Sequence, residues 1–133
     1  MVIVVEDLNT VFDQLSQELS CDQETKAYIA GVFSKYRTTT FDLSKQNITL
    51  TYAQAHFQQD FLTFQTIGDW LLFAESLFPE SLHSASEDYF FNLGRLSYGS
   101  CYRLINRRWR LYEELSDQFI PLTYQMRETL HKL

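Results

Sequence analysis

The spacing of apolar residues constrains the fold of this chain more than any other feature of its sequence. Apolar side chains recur mainly at intervals of three and four residues rather than two. Intervals of three and four place side chains on one face of an α-helix, whereas a half-buried strand needs an interval of two. The pattern predicts an all-α protein. Its 133 residues, 45% of them apolar, suffice for one domain with its own core, and no repeat or linker divides them.

Local signals divide this domain into a bundle of about five helices. A Ser or Thr that is followed three residues later by Glu or Gln is typical of the start of a helix. The pattern occurs at residues 20–23, 51–54 and 84–87. We expect an earlier helix over residues 7–19, a break near Asp60, and an interruption over residues 116–121, where Pro121 has no N–H to donate within a helix.

One segment, residues 37–50, does not follow the helical pattern. It is rich in β-branched and polar residues, which suits a loop with a short extended piece at residues 48–50. Pairing of that piece with residues 2–5 would give a minor two-stranded β element near the N-terminal side of the bundle.

The most apolar run, IGDWLLFAESLFPESL at residues 67–82, places an acidic residue among large apolar ones. At about 100° per residue, Ile67 and Trp70 belong to a broad apolar arc, and Asp69 lies at its edge. Two interpretations stay open. The favoured one makes Asp69 a solvated or hydrogen-bonded helix residue. The other makes it half-buried, with a hydrogen bond from a Tyr or an Arg of a neighbouring helix, because an isolated buried carboxylate is costly.

The glycines and the proline near this run have structural interpretations. Gly68 costs about 1 kcal/mol relative to Ala within a helix. We therefore expect a close helix crossing there, with Gly94 and Gly99 as its counterparts. Pro79 disfavours a helical conformation at Phe78, so the helix should end there, with Phe78 filling the core at the corner.

These residues also carry a resemblance. The pattern GDxxLF, then LFPE, then an aromatic pair, Gly and Ser-Tyr resembles a family of small, uncharacterised bacterial helical proteins over about residues 60–120. The matching positions are Gly68, Asp69, Leu72, Phe73, Leu77, Phe78, Pro79, Glu80, Tyr89, Phe90, Gly94, Ser97 and Tyr98. The resemblance implies a bacterial, all-helical, cytosolic protein, and it transfers no activity.

Motifs that would indicate catalysis or cofactor binding are missing from the sequence. His56, His83 and His131 are isolated, with no HExxH pattern, and there is no GxGxxG, GxxxxGK or GxSxG. Cys21 and Cys101 stand eighty positions apart and form no CxxC pair, which favours two reduced thiols. We predict no catalytic residue, no metal and no cofactor.

The best candidate for a binding surface is a basic island. Residues 95–112 carry five arginines and no acidic residue, although the chain as a whole has a net charge of −6. The intervals between Arg103, Arg107 and Arg110 place them on one helical face. The proposed partner contacts are Arg103, Arg107, Arg108, Trp109 and Arg110. The favoured alternative pairs these arginines with the chain's own carboxylates, such as Glu113. The second is an acidic partner surface, and the third, nucleic acid, is opposed by the net charge.

The sequence therefore predicts a non-enzymatic interaction module of the bacterial cytosol, like an adaptor or a chaperone, whose partner is another protein or a second copy. The N-terminus has no basic segment of the signal-peptide type, and no apolar run is long enough to cross a membrane. The alternative function is a small-molecule-binding protein or enzyme. Its aromatic pocket would lie between helices, with Asp69, Tyr98 or an Arg as the polar group.

Overall fold

The computed structural model describes residues 13–38, 47–79 and 86–131 of this chain. Within these residues there are seven helical segments and no strand, so the all-α prediction is confirmed and the expected number of about five helices is too low. The segments are α1 (residues 13–17), α2 (Gln23–Thr38), α3 (Ile48–Gln58), α4 (Phe61–Leu77), α5 (Glu87–Leu104), α6 (Arg110–Asp117) and α7 (Phe119–His131).

The extended piece predicted at residues 48–50 is wrong, because these residues form the first turn of α3. The cause is Asn47, whose side-chain oxygen accepts a hydrogen bond from the Leu50 N–H at 3.0 Å and so caps the helix. Thr51, the expected cap, lies inside the helix and donates its hydroxyl to the Asn47 carbonyl. Residues 2–5, Glu80, His83 and Ser84 lie outside the described part of the chain.

The expected break near Asp60 is confirmed. Gln59 adopts a left-handed conformation with φ of 55°, and Asp60 then caps α4 by accepting from both the N–H and the hydroxyl of Thr63. The interruption between residues 116 and 121 is also confirmed, because α6 ends at Asp117 and α7 begins at Phe119. Pro121 is the third residue of α7, where the missing N–H has no helical partner to lose.

Helix α4 forms the centre of the molecule. Its most extensive contacts are with α5, and it also contacts α2, α3 and α7. Every residue from Ile67 to Ser76 is buried, including the positions that the helical wheel places opposite the apolar arc. A helix surrounded in this way has no solvent-facing side. The two carboxylates of its central turns, Asp69 and Glu75, find partners inside the protein, whereas the buried Ser76 hydroxyl has no hydrogen-bond partner among the described residues.

The glycines make room for aromatic rings rather than for other glycines. A Cβ atom on Gly68 would lie 2.9 Å from the ring of Tyr98 on α5, and a Cβ on Gly94 would overlap the ring of Phe119 on α7. Gly94 is thus not the counterpart of Gly68 that we expected, and neither is Gly99, which faces the Ser116 side chain on α6. The close approach at Gly68 is nevertheless present, and it brings Tyr98 next to the central turns of α4.

The end of α4 differs from the expectation in one respect. The helix ends at Leu77, with Phe78 as its C-cap and Pro79 after it, as the proline predicts. Phe78, however, is 49% exposed, although its ring makes an edge contact with Phe73 of the core. Phe78 therefore does not fill the core. Among the described residues, no helix is long and apolar enough to cross a membrane.

Candidate functional site

Asp69 is buried, with 6% of its surface exposed, so the favoured interpretation of a solvated carboxylate is wrong. Its Oδ1 atom accepts hydrogen bonds from the hydroxyls of Tyr28 on α2, at 2.7 Å, and Tyr98 on α5, at 2.6 Å. The alternative, a half-buried carboxylate that receives a hydrogen bond from a Tyr or an Arg of a neighbouring helix, is therefore confirmed in its hydrogen bonds, but Asp69 is more deeply buried than expected. Both donors are neutral tyrosines, and no arginine is involved.

The hydrogen bonds continue beyond Asp69. The Gln65 side-chain amide donates to the Tyr28 hydroxyl at 3.3 Å and to the Tyr112 hydroxyl at 2.7 Å. The rings of Tyr28, Tyr98 and Tyr112 also contact one another, with centroids 5.9 to 6.4 Å apart. We call these three residues, with Gln65 and Asp69, the tyrosine cluster. It joins α2, α4, α5 and α6 at the centre of the fold.

Burial determines the protonation of this cluster. It raises the pKa of Asp69 to about 6, although the hydrogen bonds from Tyr98 and Tyr28 act in the opposite direction. Burial, and then the nearby Asp69 charge, raises the pKa of Tyr98 well above its ordinary value. Tyr28 shifts in the same direction for the same reasons. The tyrosines therefore stay neutral donors, and Asp69 is the group that titrates.

A second buried acid on α4 is held differently. Glu75 is 1% exposed, and its Oε2 atom lies 2.6 Å from Nη2 of Arg127 on α7. The same guanidinium donates to the Glu75 carbonyl and to the Glu87 carboxylate, and it lies over the rings of Phe91 and Tyr124. Burial raises the pKa of Glu75 to about 7, while Arg127 opposes the shift. We call Glu75, Glu87 and Arg127 the ion triad.

The predicted basic face is interrupted. Helix α5 ends at Leu104, and a turn over residues 105–109 leads to α6. Asn106 and Arg107 are both left-handed, with φ of 59° and 58°. Asn tolerates this conformation, whereas it is uncommon for Arg. Arg103, Arg107 and Arg110 therefore do not share one helical face. Their spacing imitates helical periodicity across a turn.

The arginines have few partners. Arg103 donates to the Gln59 side chain at 2.7 Å. Arg110 lies 3.8 Å from Glu113, and because the Arg110 side chain is mostly exposed and the Glu113 side chain partly so, this pair contributes little to stability. Arg107 and Arg108 are exposed and make no side-chain hydrogen bond or ion pair to the rest of the described chain. Internal pairing, the favoured alternative for these arginines, thus accounts loosely for Arg110 alone.

Trp109 is anchored at the same turn. It is 43% exposed, its indole N–H donates to Glu24 on α2, and its ring makes an edge contact with Tyr112. These contacts tie the turn to the tyrosine cluster. We call Arg103, Arg107, Arg108, Trp109 and Arg110 the basic turn.

A cavity of about 550 Å³ opens beside the basic turn, between the end of α5 and α6. Its lining includes both positive and negative side chains. The lining residues are Gly99, Tyr102, Arg103, Arg107, Glu113, Ser116 and Asp117. Asp69 and Tyr98, the polar groups expected in an aromatic pocket, are buried in the tyrosine cluster and do not line this cavity. The sequence indicated Arg103 and Arg107, with Glu113 as a possible partner, but it did not indicate Asp117.

Reactive and ligating groups are sparse in the described ranges. Cys21 and Cys101 are free thiols, and burial raises their pKa values to about 11 and about 12, which keeps them protonated and poorly nucleophilic. No group of three or more His, Cys, Asp and Glu side chains there is arranged to hold a metal ion.

Among the described residues, the tyrosine cluster in the interior and the partly exposed ion triad connect helices, and the basic turn with its adjoining cavity forms a polar surface. No protein-family model, curated protein or solved structure matches the chain.

Proposed function

We propose that this protein is a non-enzymatic interaction module that binds an acidic surface of a partner protein through the basic turn. One observation carries the proposal: the exposed guanidinium groups of Arg107 and Arg108 make no hydrogen bond or ion pair within the described residues. Guanidinium groups form paired hydrogen bonds with carboxylates, so such a surface is suited to acidic side chains.

The anchoring of the turn supports this function. Trp109 is bonded to Glu24 and packed on Tyr112, and the Arg107 N–H donates to the Tyr102 carbonyl at 2.9 Å. A surface that is already ordered loses less conformational entropy when a partner binds. Arg and Trp are also among the residues that contribute most to interface affinity.

The charge distribution selects among partners. Residues 1–94 carry thirteen acidic and four basic residues, so the basic turn is a local exception on an acidic protein. Nucleic acids bind through extended phosphate neutralisation, which this distribution opposes. An acidic patch on a protein needs only a local cationic surface. We place the module in the bacterial cytosol, as an adaptor or chaperone, in keeping with the resemblance of residues 60–120.

The test is affinity capture from the cells that produce the protein, followed by binding measurements with the purified partner. Arg107→Glu/Arg108→Glu should abolish stoichiometric capture. Arg107→Lys/Arg108→Lys, which keeps the charge but loses the planar donors, should retain part of it. Lys26→Glu/Lys35→Glu on α2 makes the same change in net charge and should leave capture unchanged.

Two results would count against the proposal. Equal loss in the α2 variant would show that net charge alone drives binding. Capture of nothing but the protein itself, with a sedimentation equilibrium that the arginine variant shifts to monomer, would replace the foreign partner by a second copy.

A small-molecule function is the second candidate, and the cavity beside the turn is the observation that favours it. Its volume lies within the range of about 300–1,000 Å³ that is typical of small-molecule sites.

A further inference from the structure

The cavity between α5 and α6 has opposite charges on its walls. Arg103 and Arg107 come from the end of α5 and the turn, and Glu113 and Asp117 come from α6. We propose that this cavity binds a small zwitterion of the amino-acid or short-peptide class. Its carboxylate would meet the arginines and its ammonium the carboxylates. This small-molecule site does not depend on a partner protein at the basic turn.

The arginine side is ready to accept an anion. The Arg107 guanidinium has no partner in the described chain, so all its donors are available. Arg103 is fixed by the Gln59 side chain through one nitrogen, Nη1, which leaves its other nitrogens free to donate. One arginine is thus positioned and the other is unoccupied, and a carboxylate is the ligand group that two adjacent guanidinium groups hold best.

The acidic side is suited to a cation. Asp117 is exposed and lies in the last turn of α6, and its carboxylate makes no hydrogen bond or ion pair within the described residues. Carbonyls at a helix C-terminus add to the negative potential there, so an ammonium group is favoured. Glu113 lies four positions earlier, about 6 Å along the helix, and already has Arg110 at 3.8 Å. Asp117 is therefore the carboxylate left to bind a ligand.

The balance of charges is the reason for choosing a zwitterion. A simple anion held by the two arginines would also face two carboxylates, and a simple cation would face two arginines. Only a ligand with both charges converts each of these repulsions into an attraction. A dipeptide separates its charges by several ångströms and fits easily within about 550 Å³.

Gly99 gives access to this space from the α5 side. A Cβ atom there would come within 3.2 Å of the Ser116 hydroxyl, which donates to the Arg95 carbonyl. A larger side chain at this position would occupy the cavity without removing any of its charges. Gly99→Leu is therefore a direct way to block the site.

The experiment is an NMR titration of the full chain with L-alanyl-L-alanine, following amide shifts at residues 99–117. We expect saturable shifts with alanylalanine. The N-acetyl derivative, which lacks the ammonium, and the C-terminal amide, which lacks the carboxylate, should each bind at least about tenfold more weakly, as the loss of one charge-assisted contact implies.

Protein variants locate the site. Arg107→Gln and Asp117→Asn should each lower the affinity for alanylalanine by about fivefold or more. Gly99→Leu should abolish the shifts, and the remaining resonances show whether this variant is folded. Arg108→Gln is the matched control, because Arg108 does not line the cavity, and it should bind normally. Equal binding of the N-acetyl derivative, equal loss in the Arg108 variant, or no saturable shift would each overturn the proposal. Arg108→Gln weakens only the protein-partner surface, so the two proposals fail separately.

Discussion

The centre of α4 and the basic turn treat charged groups in opposite ways. In α4, the two buried carboxylates, Asp69 and Glu75, are both fully engaged: one by tyrosine hydroxyls, the other by the Arg127 guanidinium. In the turn, Arg107 and Arg108 have no partner in the described chain, and the backbone of Arg107 is left-handed. Satisfied interior charges stabilise one arrangement of helices, whereas unsatisfied surface charges on a strained backbone contribute little to folding. The turn is therefore where we look for function.

Arg127→Ala should give the largest loss of stability. It leaves Glu75 buried without a cation, and breaking a buried pair on one side costs about 3–5 kcal/mol. Urea denaturation at pH 8 measures the effect. At pH 5 the loss should be smaller, because Glu75, whose pKa already lies near 7, then becomes neutral. A loss below about 1 kcal/mol at pH 8 would contradict the comparison, since the triad would then be no more than a surface pair.

The pH dependence of stability tests both buried acids together. The folded pKa values of Asp69, about 6, and Glu75, about 7, lie above the ordinary values of 3.8 and 4.5. At a pH between the ordinary and the folded pKa of each acid, the folded state binds more protons than the unfolded state, so stability falls as pH rises. We expect the free energy of unfolding to decrease from about pH 4 to pH 7, by up to about 3 kcal/mol for each acid.

Two variants separate these contributions. Asp69→Asn should flatten the lower part of the profile, below about pH 6, and Glu75→Gln the upper part. Profiles that keep the wild-type slope in both variants would show that other groups cause the dependence.

Tyr98→Phe should lower the free energy of unfolding by about 1–3 kcal/mol, which is less than the effect of Arg127→Ala. It removes one neutral donor from a buried carboxylate and leaves the ring packed on Gly68. Its second effect is on protonation. With one hydrogen bond to the charged form gone, the pKa of Asp69 should rise above 6, which carbon-detected NMR of the carboxyl group can follow. Tyr124→Phe changes a tyrosine outside the cluster and should leave that pKa unchanged.

Signals confined to a few neighbouring residues were predictable from sequence. The break before Asp60 and the interruption before Pro121 arise from a capping side chain and a missing N–H, and both are where the sequence predicts them. Asn47 shows the limit of such signals. Asn47 is a better cap and lies four residues before Thr51, the cap expected from the pattern at residues 51–54, so α3 begins earlier than predicted.

Contacts between distant residues could not be predicted in this way. A helical wheel assumes one solvent face, so it misplaced Asp69, which lies in the part of α4 that is buried on all sides. Glu75 and Arg127 are 52 positions apart, and nothing near either of them indicates the other. The turn after α5 contains neither Gly nor Pro, and its arginines are spaced as in a helix. Only the left-handed backbone of Asn106 and Arg107 shows that the helix has ended.

The smallest effect we predict is a gain of stability, and it concerns the left-handed backbone of Asn106 and Arg107. A residue with a side chain loses about 1–2 kcal/mol of folding free energy when its backbone is left-handed, and Gly avoids this loss. Gly is also more flexible in the unfolded state, which lowers the free energy of unfolding by about 0.5–1 kcal/mol. Arg107→Gly should therefore raise the free energy of unfolding by about 0.5–1 kcal/mol. Asn106→Gly should raise it less, because Asn tolerates the conformation better.

Chemical denaturation and partner binding, measured on the same Arg107→Gly sample, make this a test of function. If the strained arginine is retained for binding, the variant gains stability and loses affinity together. If it gains stability and binds normally, the guanidinium at position 107 does not contribute to the interface, and the contrast between a satisfied interior and a functional turn then depends on Arg108 alone. A loss of stability would instead mean that the Arg107 side chain supports the fold, which its lack of described partners argues against.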